Sequence, residues 1–119
     1  QVLLLGWNPI SDFSPLGNLT QLQALALGAT SVTDISFLEN YTSLRELMLA
    51  LTGVSDIGVL SKMTNLEKLY LMDSNVSNVA PLSGLMQLRV LQLENCPIED
   101  YSPLAGIYPN LSEKDFSIP

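Results

Sequence analysis

Leucines recur along the chain in a fixed rhythm: Leu22, Leu25 and Leu27, then Leu44, Leu47 and Leu49, then Leu66, Leu69 and Leu71, then Leu88, Leu91 and Leu93. Each group starts 22 residues after the last, and Leu3 and Leu5 stand ahead in the same phase. The L-x-L alternation has a period of two, which predicts a short strand with its leucines facing inward. Ile10, Val32, Val54, Val76 and Ile98 then turn the chain into the core. Phe13, Ile35, Ile57, Val79 and Tyr101 follow, and then Leu16, Leu38, Leu60, Leu82 and Leu104. Their three-residue spacing suits a 3₁₀ or short α-helical turn on the opposite side. Leu19, Tyr41, Met63, Leu85 and Ile107 close each coil.

One such coil leaves an apolar edge open, whereas stacked coils bury a continuous core. The repetition therefore predicts a solenoid of five parallel strands along one side, each period leaving room for the long crossover that parallel pairing needs.

The pattern L-x-x-L-x-L-x-x-(N)-x-I-x-D-I-S-P-L, best seen in "NPISDFSPLGNLTQLQALAL", resembles the 22-residue leucine-rich repeat of the internalin family of bacterial surface proteins. The resemblance covers residues 1 to about 107. It implies a right-handed α/β solenoid with a parallel sheet on the concave face and short 3₁₀ or α turns on the convex face. Residues 1–119 then read as a fragment of a single leucine-rich-repeat domain of about five repeats. Because the chain opens on Gln1 in mid-repeat, it is expected to be a piece of something longer. After Ile107 the phase slips by one residue, Leu111 standing where position 110 was due, and "SEKDFSIP" loses the L-x-L pattern. Residues 108–119 are thus expected to form an irregular C-terminal partial cap. Family repeats usually place Asn where the strand ends, its amide bonding neighbouring coils. Here only Asn8 keeps it, with Thr30, Thr52, Ser74 and Cys96 later. Hydroxyls donate one hydrogen bond each and a thiol donates weakly, so a weaker ladder between coils is expected.

The 119 residues suit one domain with a modest core, and 47% apolar with 14% charged residues is not the composition of a disordered chain. A net charge of −7 argues against a nucleic-acid surface, which needs clustered Lys and Arg. No apolar run reaches membrane-spanning length, so direct membrane insertion is not expected, and no signal peptide is visible. The absence of histidine removes the commonest general base and metal ligand. No phosphate loop, G-x-S-x-G elbow or metal-binding loop is present. No catalytic residue, metal or cofactor is therefore expected, and an enzyme would need catalytic residues from flanking sequence.

Cys96, the single cysteine, sits at a core phase and reads as a buried structural thiol. Asp12, Asp34, Asp56, Asn78 and Asp100 recur once per coil, about 5 Å apart if the coils stack at strand spacing. A file of carboxylates invites a calcium site, whereas capping of each following turn accommodates Asn78 as well; capping is the favoured reading. Four sequons begin at Asn18, Asn40, Asn75 and Asn110, as a repeat rich in Asn, Ser and Thr generates by composition.

The informative positions are those the repeat does not dictate. Leu4, Ala26, Met48, Tyr70 and Gln92 lie between the strand leucines and are expected to point out of the concave face. Val2, Ala24, Glu46, Lys68 and Val90 lie just before them. Gly6, Gly28, Ala50, Met72 and Glu94 follow, and then Trp7, Ala29, Leu51, Asp73 and Asn95. Leu4, Trp7, Met48, Leu51, Tyr70 and Met72 are larger and more apolar than a free strand surface requires. With Glu46, Lys68, Gln92 and Glu94 they form the candidate ligand site, and Arg45 and Arg89 add rim charge. The reading is a non-catalytic module binding a protein or peptide, with a host protein among the candidates. The resemblance implies an extracellular or bacterial cell-surface setting. The alternative is a structural spacer or assembly element, packed on its own domains or associating end to end.

Overall fold

The computed structural model describes residues 2–6 and 20–116 of the chain. Six short strands, β1 (Val2–Leu4), β2 (Ala24–Ala26), β3 (Glu46–Met48), β4 (Lys68–Tyr70), β5 (Val90–Gln92) and β6 (Glu113–Lys114), form one parallel sheet in chain order. From β1 to β5 every residue pairs with its repeat equivalent, as in Leu25↔Leu47 and Leu47↔Leu69. The hydrogen bonds run on past the strand ends: Leu27 N–H donates to Met48 O at 2.9 Å, and Leu49 N–H to Tyr70 O at 2.8 Å. The turns on the other side are all 3₁₀ among the described residues: Ser36–Asn40, Gly58–Lys62, Ala80–Leu82, Ser102–Leu104 and Tyr108–Asn110. Pro at the start of the last three suits a position whose N–H has no partner within the turn.

The core is a column of stacked leucines. Leu47, Leu49, Leu69 and Leu71 on the strands and Leu38, Leu60, Leu82 and Leu104 on the turns have no accessible surface. Tyr41, Met63, Leu85 and Ile107 close the coils and are likewise buried. Leu3 and Leu5 are half-buried, with a described coil on one side only. Ile98 and Tyr101, expected inside, are also half-buried, and the Tyr101 ring instead stacks on Phe116 at 5.4 Å. Ile10, Phe13, Leu16 and Leu19, with Asn8 and Asp12, lie outside the described residues.

The slip at Leu111 has a structural counterpart. Val90 pairs with Glu113 and Leu91 with Lys114, one residue further apart than every earlier pair. The 3₁₀ turn Tyr108–Asn110 precedes Leu111, which is buried like its counterparts. Lys114 takes the place of a core leucine, and its ammonium lies 4.8 Å from the Tyr108 ring centroid. Beyond β6, Asp115 supplies what another coil's carbonyls would supply: its carboxylate accepts the N–H groups of Leu93 at 2.6 Å and Glu94 at 3.0 Å.

The strand-end ladder is wired differently from expectation. Thr30, Thr52 and Ser74 donate to Leu27 O, Leu49 O and Leu71 O, within their own coils, at 2.6–2.7 Å. Each hydroxyl satisfies the carbonyl of its own strand instead. Cys96 alone of this set reaches across, its thiol 2.9 Å from Leu71 O and 3.4 Å from Ser74 Oγ. That thiol is half-buried, not buried, because it sits in the less covered last coil beside Ile98.

The once-per-coil Asp and Asn side chains form Asx turns. Asp34, Asp56, Asn78 and Asp100 each accept the N–H two residues on, from Ser36, Gly58, Ala80 and Ser102, at 2.9–3.0 Å. Among the described residues no three His, Cys, Asp or Glu side chains gather as metal ligands would. The Ser36 N–H, and then its hydroxyl, hold Asp34 below the ordinary carboxylate value; the Ser102 hydroxyl, and then its N–H, do the same for Asp100.

A carboxylate with a lowered folded pKa contributes stability above the unfolded value and loses it as pH falls through the folded one. The double variant Asp34→Asn/Asp100→Asn keeps an acceptor, as Asn78 does naturally, and has no charge to lose. Its melting temperature should therefore fall less steeply than the parent's below about pH 4; an equally steep acid limb would contradict the assignment. Asn78→Ala removes the acceptor altogether and should cost about 1 kcal/mol in a urea titration at neutral pH.

Candidate binding face on the sheet

Alternation along three-residue strands sends the central leucine into the core and its two neighbours out of the sheet. Two outward rows result. One runs Val2, Ala24, Glu46, Lys68, Val90 and Glu113; the other runs Leu4, Ala26, Met48, Tyr70 and Gln92. Ala24 and Ala26 are small, so the sheet floor dips between the side chains of β1 and β3. The depression has a volume of about 210 Å³ and is lined by Val2, Leu4, Ala24, Ala26, Glu46, Met48 and Tyr70, among others. Leu4 is 71% exposed and Met48 37%, while Tyr70 is half-buried. Buried Gly28 lies beside Met48: a Cβ added there would stand 3.4 Å from the Met48 side chain and 3.2 Å from Ala50 O. The depression, the two large side chains and the glycine thus belong to one surface.

The next phases leave the sheet differently than a simple continuation of the strand implies. Ala29, Leu51, Asp73 and Asn95 all have φ near +60°, so among the described residues β2, β3, β4 and β5 are each left through a left-handed corner. Asn and Asp tolerate that conformation; Leu does not do so readily. Leu51 is nevertheless there and 49% exposed. Met72, expected to be open, is half-buried, and Ala50 in the same phase is buried. Trp7 lies outside the described residues.

The charges sort into paired and unpaired groups. On the sheet, Lys68 Nζ lies 3.3 Å from Glu46, whose hydrogen bond raises the lysine's pKa. On the rim, Arg45 meets Glu67 at 2.9 Å, and Arg89 turns its guanidinium to the carbonyls of Met86 and Leu88. Such exposed pairs stabilise little. Towards β5 and β6 the face turns acidic. Gln92 donates to Glu113 at 2.8 Å and Asn95 to Asp73 at 2.9 Å, and Glu94 is exposed beside them. Sequence reasoning passed over Glu113 and Asp115 because the tail loses the leucine pattern. The displaced Leu111 was the available signal, since it puts Glu113 in register with Val90.

A scan against protein-family models finds no match, and no curated protein matches the chain. Solved structures do. The internalin InlF of Listeria monocytogenes matches over 100% of this chain at 33% identity with a TM-score of 0.94, and internalin C2 of the same organism over 98% at 32% and 0.93. The plant peptide hormone receptor RGFR1, solved in complex with RGF2, matches over 98% at 23% and 0.79, a likeness of fold alone. The chain spans 35% and 51% of the two internalin chains and 20% of the receptor chain.

The corner at Leu51 generates a stability test. Asn at this phase, as at Asn95, suits φ near +60°, and the replacement gives up an exposed side chain, not a buried one. Leu51→Asn should stabilise the chain by about 1 kcal/mol in denaturant unfolding. A loss of stability would mean that the leucine packs into the fold.

Proposed function

Because the chain is an internalin-type leucine-rich-repeat array, we propose that it is a non-catalytic module that binds a protein or peptide through the open face of its sheet. The observation that carries this reading is the exposed, apolar centre of that face. Met48 and Tyr70 are register partners on adjacent strands, and Leu51 adds a large apolar group at a corner that penalises it. The core requires none of these, since Ala26 and Gln92 serve in the same phase as Met48 and Tyr70, and Ala29 and Asn95 in that of Leu51. Solvent-facing Met, Leu and Tyr together are characteristic of recognition surfaces. The repeat fold is compatible with the role, being found in a receptor solved in complex with RGF2.

The proposed setting is a larger bacterial surface or secreted protein, with a host protein among the partners it could meet. No helix among the described residues is long and apolar enough to cross a membrane. Met48 and Tyr70 would act as central anchors, Leu4, Leu51 and Met72 would widen the apolar contact, and Glu46, Lys68, Gln92 and Glu94 would set orientation.

A photo-crosslinking amino acid at position 70 should capture the partner, whereas one at exposed Ser61 on the far side should not. Tyr70→Ala should then weaken binding of the captured partner by about 2 kcal/mol, roughly thirtyfold, with little change in melting temperature. Crosslinks arising equally from both positions, or a Tyr70→Ala variant that binds normally, would favour a spacer or assembly element instead.

A further inference from the structure

The chemistry of the partner follows from how charge is arranged around the apolar centre. The chain has five Lys and Arg against twelve Asp and Glu. Arg45, Lys62 and Lys68 are already paired with Glu67, Glu39 and Glu46. Arg89 is directed at backbone carbonyls and Lys114 at the Tyr108 ring. Every cation of the chain thus has an internal partner. Asp73, Glu94, Glu113 and Asp115 differ: none forms an ion pair among the described residues, and all four are exposed on β4–β6 or at their ends. Asp73, Glu113 and Asp115 accept hydrogen bonds only from neutral amide and backbone N–H groups. Their negative charge therefore faces solvent, partly offset at Glu113 by the Lys68 ammonium that Glu46 already holds.

These carboxylates begin with Asp73, directly after Met72 at the end of β4, and continue onto β5 and β6. We propose that the occupant of this face is a polypeptide segment carrying Lys or Arg beside apolar side chains; this rests on the face being the binding surface. Its apolar side chains lie on Met48, Leu51 and Tyr70, and its cation lies among Asp73, Glu94 and Glu113. From the β3–β4 centre to the β5–β6 carboxylates is two strand spacings, about 10 Å. An extended segment covers that in about three residues, so the basic residue stands two to four positions from the apolar one. A neutral segment would leave the carboxylates partly desolvated without a partner, and an acidic one would add like-charge repulsion. Either is disfavoured by the same groups that attract a cation.

The test is selection of a random library of peptides about twelve residues long, displayed on phage, against the full chain and its Tyr70→Ala and Glu94→Gln/Glu113→Gln variants. Clones that need Tyr70 should be enriched in Lys or Arg two to four positions from an apolar residue. As synthetic peptides they should bind the double variant about tenfold more weakly at low salt, with most of that difference gone at about 1 M. Tyr70-dependent clones that are neutral or acidic, or indifferent to the Gln pair, would overturn the basic partner while leaving the binding face in place. Clones indifferent to Tyr70→Ala, or no enrichment at all, would overturn both.

Discussion

Everything in this molecule depends on the backbone ladder that ties each residue to its equivalent one coil away. Leu25 to Leu47 to Leu69 to Leu91 is at once a line of strand pairing and a line of core packing. Both interactions demand coils of equal length, because a one-residue change would turn a strand leucine out of the core. The invariant 22-residue spacing from β1 to β5 is the consequence. The single exception occurs at β6, where one more residue is accommodated around the Tyr108–Asn110 turn and Leu111 is buried nonetheless.

Within that frame the polar repeat residues have local duties. Thr52 and Ser74 are buried and return their hydroxyls to the carbonyls of their own strands. The Asx turns start four of the 3₁₀ segments by engaging an N–H that the turn itself leaves free. Apart from the contact of Ser74 with the Cys96 thiol, these groups do not join one coil to the next, so cohesion between coils rests mainly on the backbone ladder and the leucine column. That division leaves the outward rows free of structural obligation, and variation there costs the fold little.

The freedom has been used unevenly. Small residues on β2 lower the floor, large apolar ones on β3 and β4 stand beside it, and carboxylates gather towards β6. Leu51 shows that the choice is not neutral, since it combines exposure with a left-handed backbone that disfavours leucine. A position disfavoured by the fold on two counts supports the proposed binding face.

The periodicity alone determined the architecture: the L-x-L strands, the turn leucines and the capping file were legible because each depends on contacts that recur at one fixed separation. The outward phases of Met48 and Tyr70 were legible for the same reason. Four features were decided only by the tertiary structure. The left-handed corners at Ala29 and Leu51 fall on residue types that disfavour them, so Asp73 and Asn95 alone do not announce a corner repeated in each coil. The dip over Ala24 and Ala26 exists because taller side chains flank it on β1 and β3, a relation between coils and not within one. The half-burial of Met72, Ile98 and Cys96 depends on how closely the neighbouring coil covers each. And the tail, which had lost the leucine code, still found a place as β6, because β5 offers an unpaired edge and backbone groups pair whatever side chains they carry.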